Sequence, residues 1–459
     1  MNQGSSSFRT ASLASAASES AASPELAVPS AQRASSQRPV VTYALVAVTT
    51  AVFAAMVFSQ LSPRHPATEL LLIGWGANLG PLTIGGQWWR LLTSVFLHIG
   101  LLHLAVNMWC LWDLGSFAER IYGRLCFLAV YLISGITGAL VSLIWRPFAL
   151  EAGASGAIFG IAGALIASFC LGRLPYSGKA AKAAILSVVA FAGYNLFVGL
   201  FGSAAGVAAH MGGLLSGFVL GLMLARTSLR LTIVVASISI ILACGLVKRT
   251  KDYVIPAERG RTALAAGQSD QAILAFSESV QKDPKFTEGH SLLGQAYMQK
   301  QQPGLAEGAY RRALALQPKA NGLRYELAMA LLAQGRTGEA LSEFNEMAGS
   351  DPKSPAAQTG IGTVAEMTGD FPRAFEAFKR AAQLDPRNPQ AYVNLGSVAL
   401  QAHHIDEAIA ALSKAAELQP DNPKTLLTLS VAYNAAGRQK EAQDAYGRAL
   451  ELGRKQQHK

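Results

Sequence analysis

The chain has 459 residues, 51% of them hydrophobic and only 15% charged, with a formal net charge of +10. Soluble globular proteins carry about 25% charged residues, so a wholly soluble chain is excluded and part of this one lies in lipid. Residues 256–459 hold 23 Lys/Arg and 22 Asp/Glu (net +1) while residues 1–255 hold 16 and 7 (net +9), so the basic excess flanks the apolar half and reads as membrane topology, not nucleic-acid binding.

Residues 1–38 are rich in Ser and Ala, form no compact apolar region and read as a disordered tail with no signal-peptide pattern. Apolar runs follow near 40–61, 99–117, 124–145, 155–172, 182–201, 204–225 and 231–247. Each approaches the roughly 20 residues that a helix needs to cross a bilayer, so seven spans are expected. The second is the least clean, because it carries Asp113. The segment 62–98, with Pro63, Pro66 and Pro81, is too long for a plain turn. With the N-terminus inside, inner segments carry nine Lys/Arg (Arg33, Arg38, Arg120, Arg124, Arg173, Lys179, Lys182, Arg226, Arg230) against three outside (Arg64, Arg90, Arg146). This places the region after the seventh span outside, although Lys248, Arg249 and Lys251 pull the other way. The four cysteines, Cys110, Cys126, Cys170 and Cys244, all lie in apolar runs without a C-x-x-C pair and offer neither a disulfide framework nor a zinc site.

Beyond residue 255 the chain repeats. Pro284, Pro318, Pro352, Pro386 and Pro420 are 34 apart, as are Ala272, Ala306, Ala340, Ala374, Ala408 and Ala442. That period, with paired helical patterns, is the tetratricopeptide (TPR) signature, and it predicts six repeats over about 253–456. Gly294, Gly362 and Gly396 share one position in the period, with the small residues Ala328 and Ser430 standing in elsewhere. Such solenoids present a groove for a peptide or partner protein.

Polar residues inside the apolar runs are candidates for chemistry, because lipid makes them expensive. His103 and Asn107 are four apart and share a helix face. Ser155 opens the fourth run, and His210 lies six residues into the sixth, roughly 10 Å deep at about 1.5 Å per residue. Both fall near the same membrane face. Gly206, Gly213, Gly217 and Gly221 stripe the sixth run with His210; Ser155, Phe159 and Gly163 stripe the fourth, with Gly156 and Gly160 beside them. Small residues at this spacing let backbones approach closely. A serine needs a neighbouring base to act as a nucleophile, and its oxyanion needs preset donors. His210 can be that base. The Ser155 amide, His103 and Asn107 can be the donors, and Phe159 can support the imidazole. No carboxylate is placed as a third member, which suggests a dyad. H-E-x-x-H is absent, and no intramembrane Asp pair is seen. Each residue alone also fits plain helix packing; their conjunction is what points to hydrolysis.

These motifs resemble the rhomboid intramembrane serine proteases over about residues 40–226. The matching stretches are G-A-S-G (153–156), A-H-M-G-G (209–213), H-I-G-L-L-H-L-A-V-N (98–107), W-W-R (88–90) and G-S-F-A-E-R-I-Y-G (115–123). The resemblance implies Ser155 as nucleophile and His210 as general base, with His103, Asn107 and the Ser155 amide on the oxyanion. It implies that Trp89 and Arg90 shape the first loop and that His98 and Glu119 are structural. Gly153 and Gly156 read as space for a substrate carbonyl and a neighbouring helix. The expected fold is all-α: a tail (1–38), a six-helix rhomboid-like protease core (39–226), a seventh transmembrane helix and linker (227–255) and a TPR α-solenoid (256–459). Expected partners are transmembrane protein substrates, a ligand of the TPR groove and the lipid bilayer, with no metal, cofactor or nucleic acid. The location reads as a bacterial inner membrane, N-terminus cytoplasmic and TPR region extracytoplasmic. The alternative is a non-proteolytic rhomboid-like scaffold presenting a TPR surface; a channel is disfavoured, because the polar residues gather near one face.

Overall fold

Long apolar runs satisfy their backbone groups internally by becoming helices, which lipid requires. The computed structural model describes residues 38–59, 68–173, 186, 188–190, 193 and 204–457. Helix α1 is Val40–Ser59. The long segment after it contains α2 (Thr68–Trp75), α3 (Gly80–Ile84) and α4 (Arg90–Thr93), the last running into a 3₁₀ turn to Phe96. Then come α5 (Leu101–Cys110), a π turn (Leu111–Gly115) and α6 (Ser116–Tyr122). Next are α7 (Arg124–Trp145), α8 (Ser155–Cys170), α9 (Ala204–Leu224) and α10 (Leu229–Lys251). The fold is a polytopic all-α membrane bundle followed by helical repeats.

Four of the described helices, α1, α7, α9 and α10, are long and apolar enough to cross a membrane. The second span differs from expectation. It extends as one bent unit to Tyr122, well past 117, and meets the Arg90–Phe96 piece at 92°. Its π turn falls at Asp113, where an extra backbone residue is accommodated in the helix. Helix α8 has 16 residues, which at ~1.5 Å each gives about 24 Å, less than a ~30 Å hydrocarbon core. A helix that short starts or ends below a membrane surface. The fifth expected span, 182–201, lies largely outside the described residues.

Helices α7, α8 and α9 touch backbone to backbone. A Cβ on Gly213 would stand 2.0 Å from the Gly156 carbonyl oxygen, on Gly217 1.9 Å from that of Gly160, and on Gly163 2.1 Å from that of Leu214. On the other side, a Cβ on Gly138 would meet the Ala209 oxygen at 2.7 Å, and one on Gly160 would meet the Ser134 side chain at 2.1 Å. Without a hydrophobic drive between helices in lipid, this close van der Waals fit is what holds them. Gly156 and Gly160, expected beside the contact stripe, make its tightest contacts. Glu119 anchors α1: its Oε1 accepts from Val41 N at 3.0 Å, and its Oε2 accepts from Thr42 N at 2.7 Å and from Thr42 Oγ1 at 2.8 Å. First-turn amides have no partner within their own helix, so a buried carboxylate there satisfies them and complements the helix dipole.

The contact pattern divides the chain between Ile255 and Pro256. Twelve described helices follow α10, from α11 (Val254–Ala265) to α22 (Gln439–Gln457), at the 34-residue period. Ala272, Ala306, Ala340, Ala374 and Ala408 are all fully buried. So are Phe276, Tyr310, Phe344, Phe378 and Leu412, one per repeat. These large side chains explain the small recurring position. A Cβ on Gly260, Gly294, Gly362 or Gly396 would come within 2.7 Å of Phe276, Tyr310, Phe378 or Leu412 respectively.

Candidate active site

Ser155 is the first residue of α8 and is approached through Gly153 and Ala154. Gly153 has φ +150°, which favours glycine, and a Cβ there would sit 3.0 Å from His103 Cε1 and 3.8 Å from Ser155 Oγ. The backbone before α8 is tied down: Gly153 N donates to Ser94 O at 2.9 Å, and Ala154 N donates to His98 Nε2 at 3.5 Å. The His98 ring is fully buried and meets His103 edge-on, centroids 5.0 Å apart.

A cavity of about 210 Å³ opens between these elements, and Ser155, His210, His103, Gly153, Gly156 and Glu151 all line it. His210 comes from α9 and stacks on Phe159, one turn below Ser155, with centroids 4.2 Å apart and planes within 4°. Its Nδ1 is buried without a hydrogen-bond partner among the described residues, and the Phe159 face fixes the plane of the ring. Asn107 is placed differently from its neighbours. It is buried but does not line the cavity, and its Nδ2 donates to the His103 carbonyl oxygen at 2.9 Å.

Trp89 and Arg90 lie away from the cavity wall. Arg90 is buried, donating from Nη1 to Ile73 O at 2.7 Å and Ala77 O at 3.0 Å and from Nε to Gln87 Oε1 at 2.7 Å. It sits 4.7 Å from the ring centre of the half-exposed Trp89. These contacts knit the segment between α1 and α4. The Glu119 carboxylate is bonded to the start of α1, as described above, and does not line the cavity.

Sequence reasoning missed Ser134, Gly135 and Gly138 on α7, whose spacing of one, three and four residues was a readable signal for a helix contact. It also missed Asn78. Asn78 and Glu151 form an isolated antiparallel bridge, and no local pattern marks a pairing of segments so far apart in the chain.

The fold and site together define a polytopic helical membrane protein with a serine and a histidine facing one cavity, joined to a helical repeat array. A family profile described as Rhomboid domain matches residues 85–227, and tetratricopeptide repeat profiles match 258–321, 325–389 and 388–455. Rhomboid protease AarA of Providencia stuartii is 32% identical over 204 residues, 39% of this chain and 71% of that protein. Rhomboid protease GluP of Bacillus subtilis (strain 168) is 36% identical over 180 residues, 39% of this chain. The chain spans 34% of GluP's length, and under half the length of two Arabidopsis thaliana relatives. A crystal structure of PilW, a type IV pilus biogenesis factor, matches with TM-score 0.39 at 19% identity, covering 42% of this chain and 90% of that one. The chain belongs to the rhomboid family and carries a tetratricopeptide array.

Proposed function

We propose that the chain is an intramembrane serine endopeptidase that cleaves peptide bonds in or near transmembrane segments. The observation that carries this reading is the meeting of Ser155 and His210 in one cavity, with His210 stacked on Phe159. In this mechanism His210 takes the proton from Ser155 Oγ as the oxygen attacks the scissile carbonyl carbon. The negative charge moves to the carbonyl oxygen, where the Ser155 N–H at the positive start of α8 and the His103 ring donate to it. Asn107 donates one amide proton to the His103 carbonyl and does not line the cavity, so its side chain must turn toward Ser155 to bring a proton to the oxyanion. His210 then returns its proton to the leaving amine. Water, activated by the same imidazole, hydrolyses the acyl-enzyme and restores Ser155. Helix α8 is too short to fill a bilayer, which supports a recessed serine. A substrate helix must unwind there to expose its carbonyl, so small or helix-breaking residues near the cleaved bond are favoured.

The decisive experiment is co-expression with a tagged transmembrane substrate, comparing wild type with Ser155→Ala and His210→Ala. Both variants lose processing in this reading; equal processing in all three leaves only a scaffold that presents the TPR surface. The N-terminus is cytoplasmic and the repeats lie across a bacterial inner membrane, which protease protection of the C-terminus in sealed vesicles tests. The repeats recruit a substrate or partner protein through their groove. Deleting 256–459 should then weaken cleavage of natural substrates more than of a generic one, and equal loss on both would count against recruitment.

A further inference from the structure

Among the described residues the cavity carries one carboxyl group, which the mechanism leaves unused. Glu151 lies between α7 and α8, four residues before Ser155, and lines the cavity with Ser155, His103 and His210. Its backbone is fixed. Glu151 N donates to Asn78 O and Asn78 N to Glu151 O, each at 2.9 Å. Asn78 is itself clamped: its Nδ2 donates to Ala139 O at 3.0 Å, and its Oδ1 accepts from Thr83 Oγ1 at 2.9 Å. Asn78 Nδ2 also reaches Glu151 Oε2 at 3.5 Å, while Glu151 Oε1 is buried with no hydrogen-bond partner among the described residues.

A buried polar atom without a partner calls for an explanation, and a ligand is one. Burial pushes the Glu151 pKa up to about 8, against the Ser142 and Asn78 side chains, which pull it down. At neutral pH the acid is mostly uncharged. Because Oε2 accepts from Asn78, the acid proton belongs on Oε1, which makes Oε1 a donor. An unwound substrate segment brings carbonyls that lipid cannot satisfy. Much of the described cavity lining, including Val95, Ala139, Leu150 and Ala209, offers apolar side chains.

We propose that Glu151 is a substrate-binding residue of this site, donating from Oε1 to a backbone carbonyl or hydroxyl oxygen of the substrate segment held beside Ser155. The proposal rests on the proteolytic reading above. It is tested on the full chain in liposomes with a tagged single-span reporter. Wild type, Glu151→Gln and Glu151→Met are compared for kcat/KM across about pH 6 to 10, beside Ser155 labelling by a fluorophosphonate probe. The Gln amide still donates, so it should stay within about threefold of wild type at neutral pH, whereas Met should lose about tenfold while still labelled. The neutral form is the donor, so wild type should decline as pH rises through about 8, and Gln should not. Among the described residues, the other titratable groups lining the cavity, His103 and His210, are imidazoles, which ordinarily titrate near ~6.5, on the acid side. A Met variant as efficient as wild type, or identical alkaline limbs for wild type and Gln, would overturn the proposal. If Met abolishes labelling, the comparison of alkaline limbs decides alone. A wild type that neither labels nor cleaves removes the proteolytic reading itself, a result distinct from a labelled, active wild type indifferent to Glu151.

Discussion

Gly213→Ala is the sharpest test of the backbone contact that brings α8 and α9 together. Gly213 follows His210 by three residues and faces the carbonyl of Gly156, the neighbour of Ser155. A new Cβ would stand 2.0 Å from the Gly156 oxygen, 2.8 Å from its carbonyl carbon and 3.2 Å from its Cα. Ordinary contact begins at 3.4 Å, so the helices must part by at least 3.4 − 2.0 = 1.4 Å along that line. The obstacle is backbone, which has no rotamer to escape into. Overpacking of this kind costs about 1–3 kcal/mol. A displacement of about 1 Å between reacting groups costs on the order of 100-fold in rate. The variant should therefore unfold at lower temperature and lose about two orders of magnitude in kcat/KM on a transmembrane reporter. Gly245→Ala on α10 is the control, since a Cβ there has nothing within 4 Å. If Gly213→Ala stays within about threefold of wild type, or Gly245→Ala is damaged equally, the reasoning from close contact is wrong.

Three further outcomes follow from particular contacts. Phe159→Leu keeps an apolar filler but removes the ring stacked on His210; kcat should fall about tenfold with KM little changed, and an unchanged kcat would deny the stack a role in orienting the base. Glu119→Ala strands the Val41 and Thr42 amides, and thermal unfolding should report a loss of about 2–3 kcal/mol, because hydrogen bonds to a charged group are being removed from a buried helix start. Gly362→Ala pushes a Cβ to 2.7 Å from the Phe378 ring. Hydrogen exchange should rise in the fourth repeat and its neighbours and leave 40–224 unchanged, because repeats couple only to nearest neighbours; uniform exchange along the array would contradict that packing.

Much of the architecture was legible because it is written locally. Apolar runs near the bilayer thickness announce helices in lipid whatever they pack against, and a strict 34-residue period announces stacked pairs, since each repeat meets only its neighbours. The facing of Ser155 and His210 was legible too, from helix periodicity and depth along two spans. The second span illustrates the limit: hydropathy ended it near 117, because Glu119 and Arg120 are charged. The helix continues to Tyr122, because the Glu119 carboxylate is satisfied by the first turn of α1 rather than by water.

Direction and partnership were settled only by packing. Asn107 shares a helix face with His103, yet its amide turns to the His103 carbonyl, a choice that depends on competing hydrogen bonds and not on spacing. The recurring glycines of the repeats showed a need for small side chains but not the large side chain, Phe276, Tyr310, Phe378 or Leu412, that each one receives from the following helix. Asn78 and Glu151 pair across 73 residues, and nothing in either short stretch foretells the other. Hydropathy and period are properties of a segment and survive in the sequence alone. The aim of a side chain and the identity of its neighbour are properties of the assembled helices, because they are set by which backbone comes close enough to exclude every alternative.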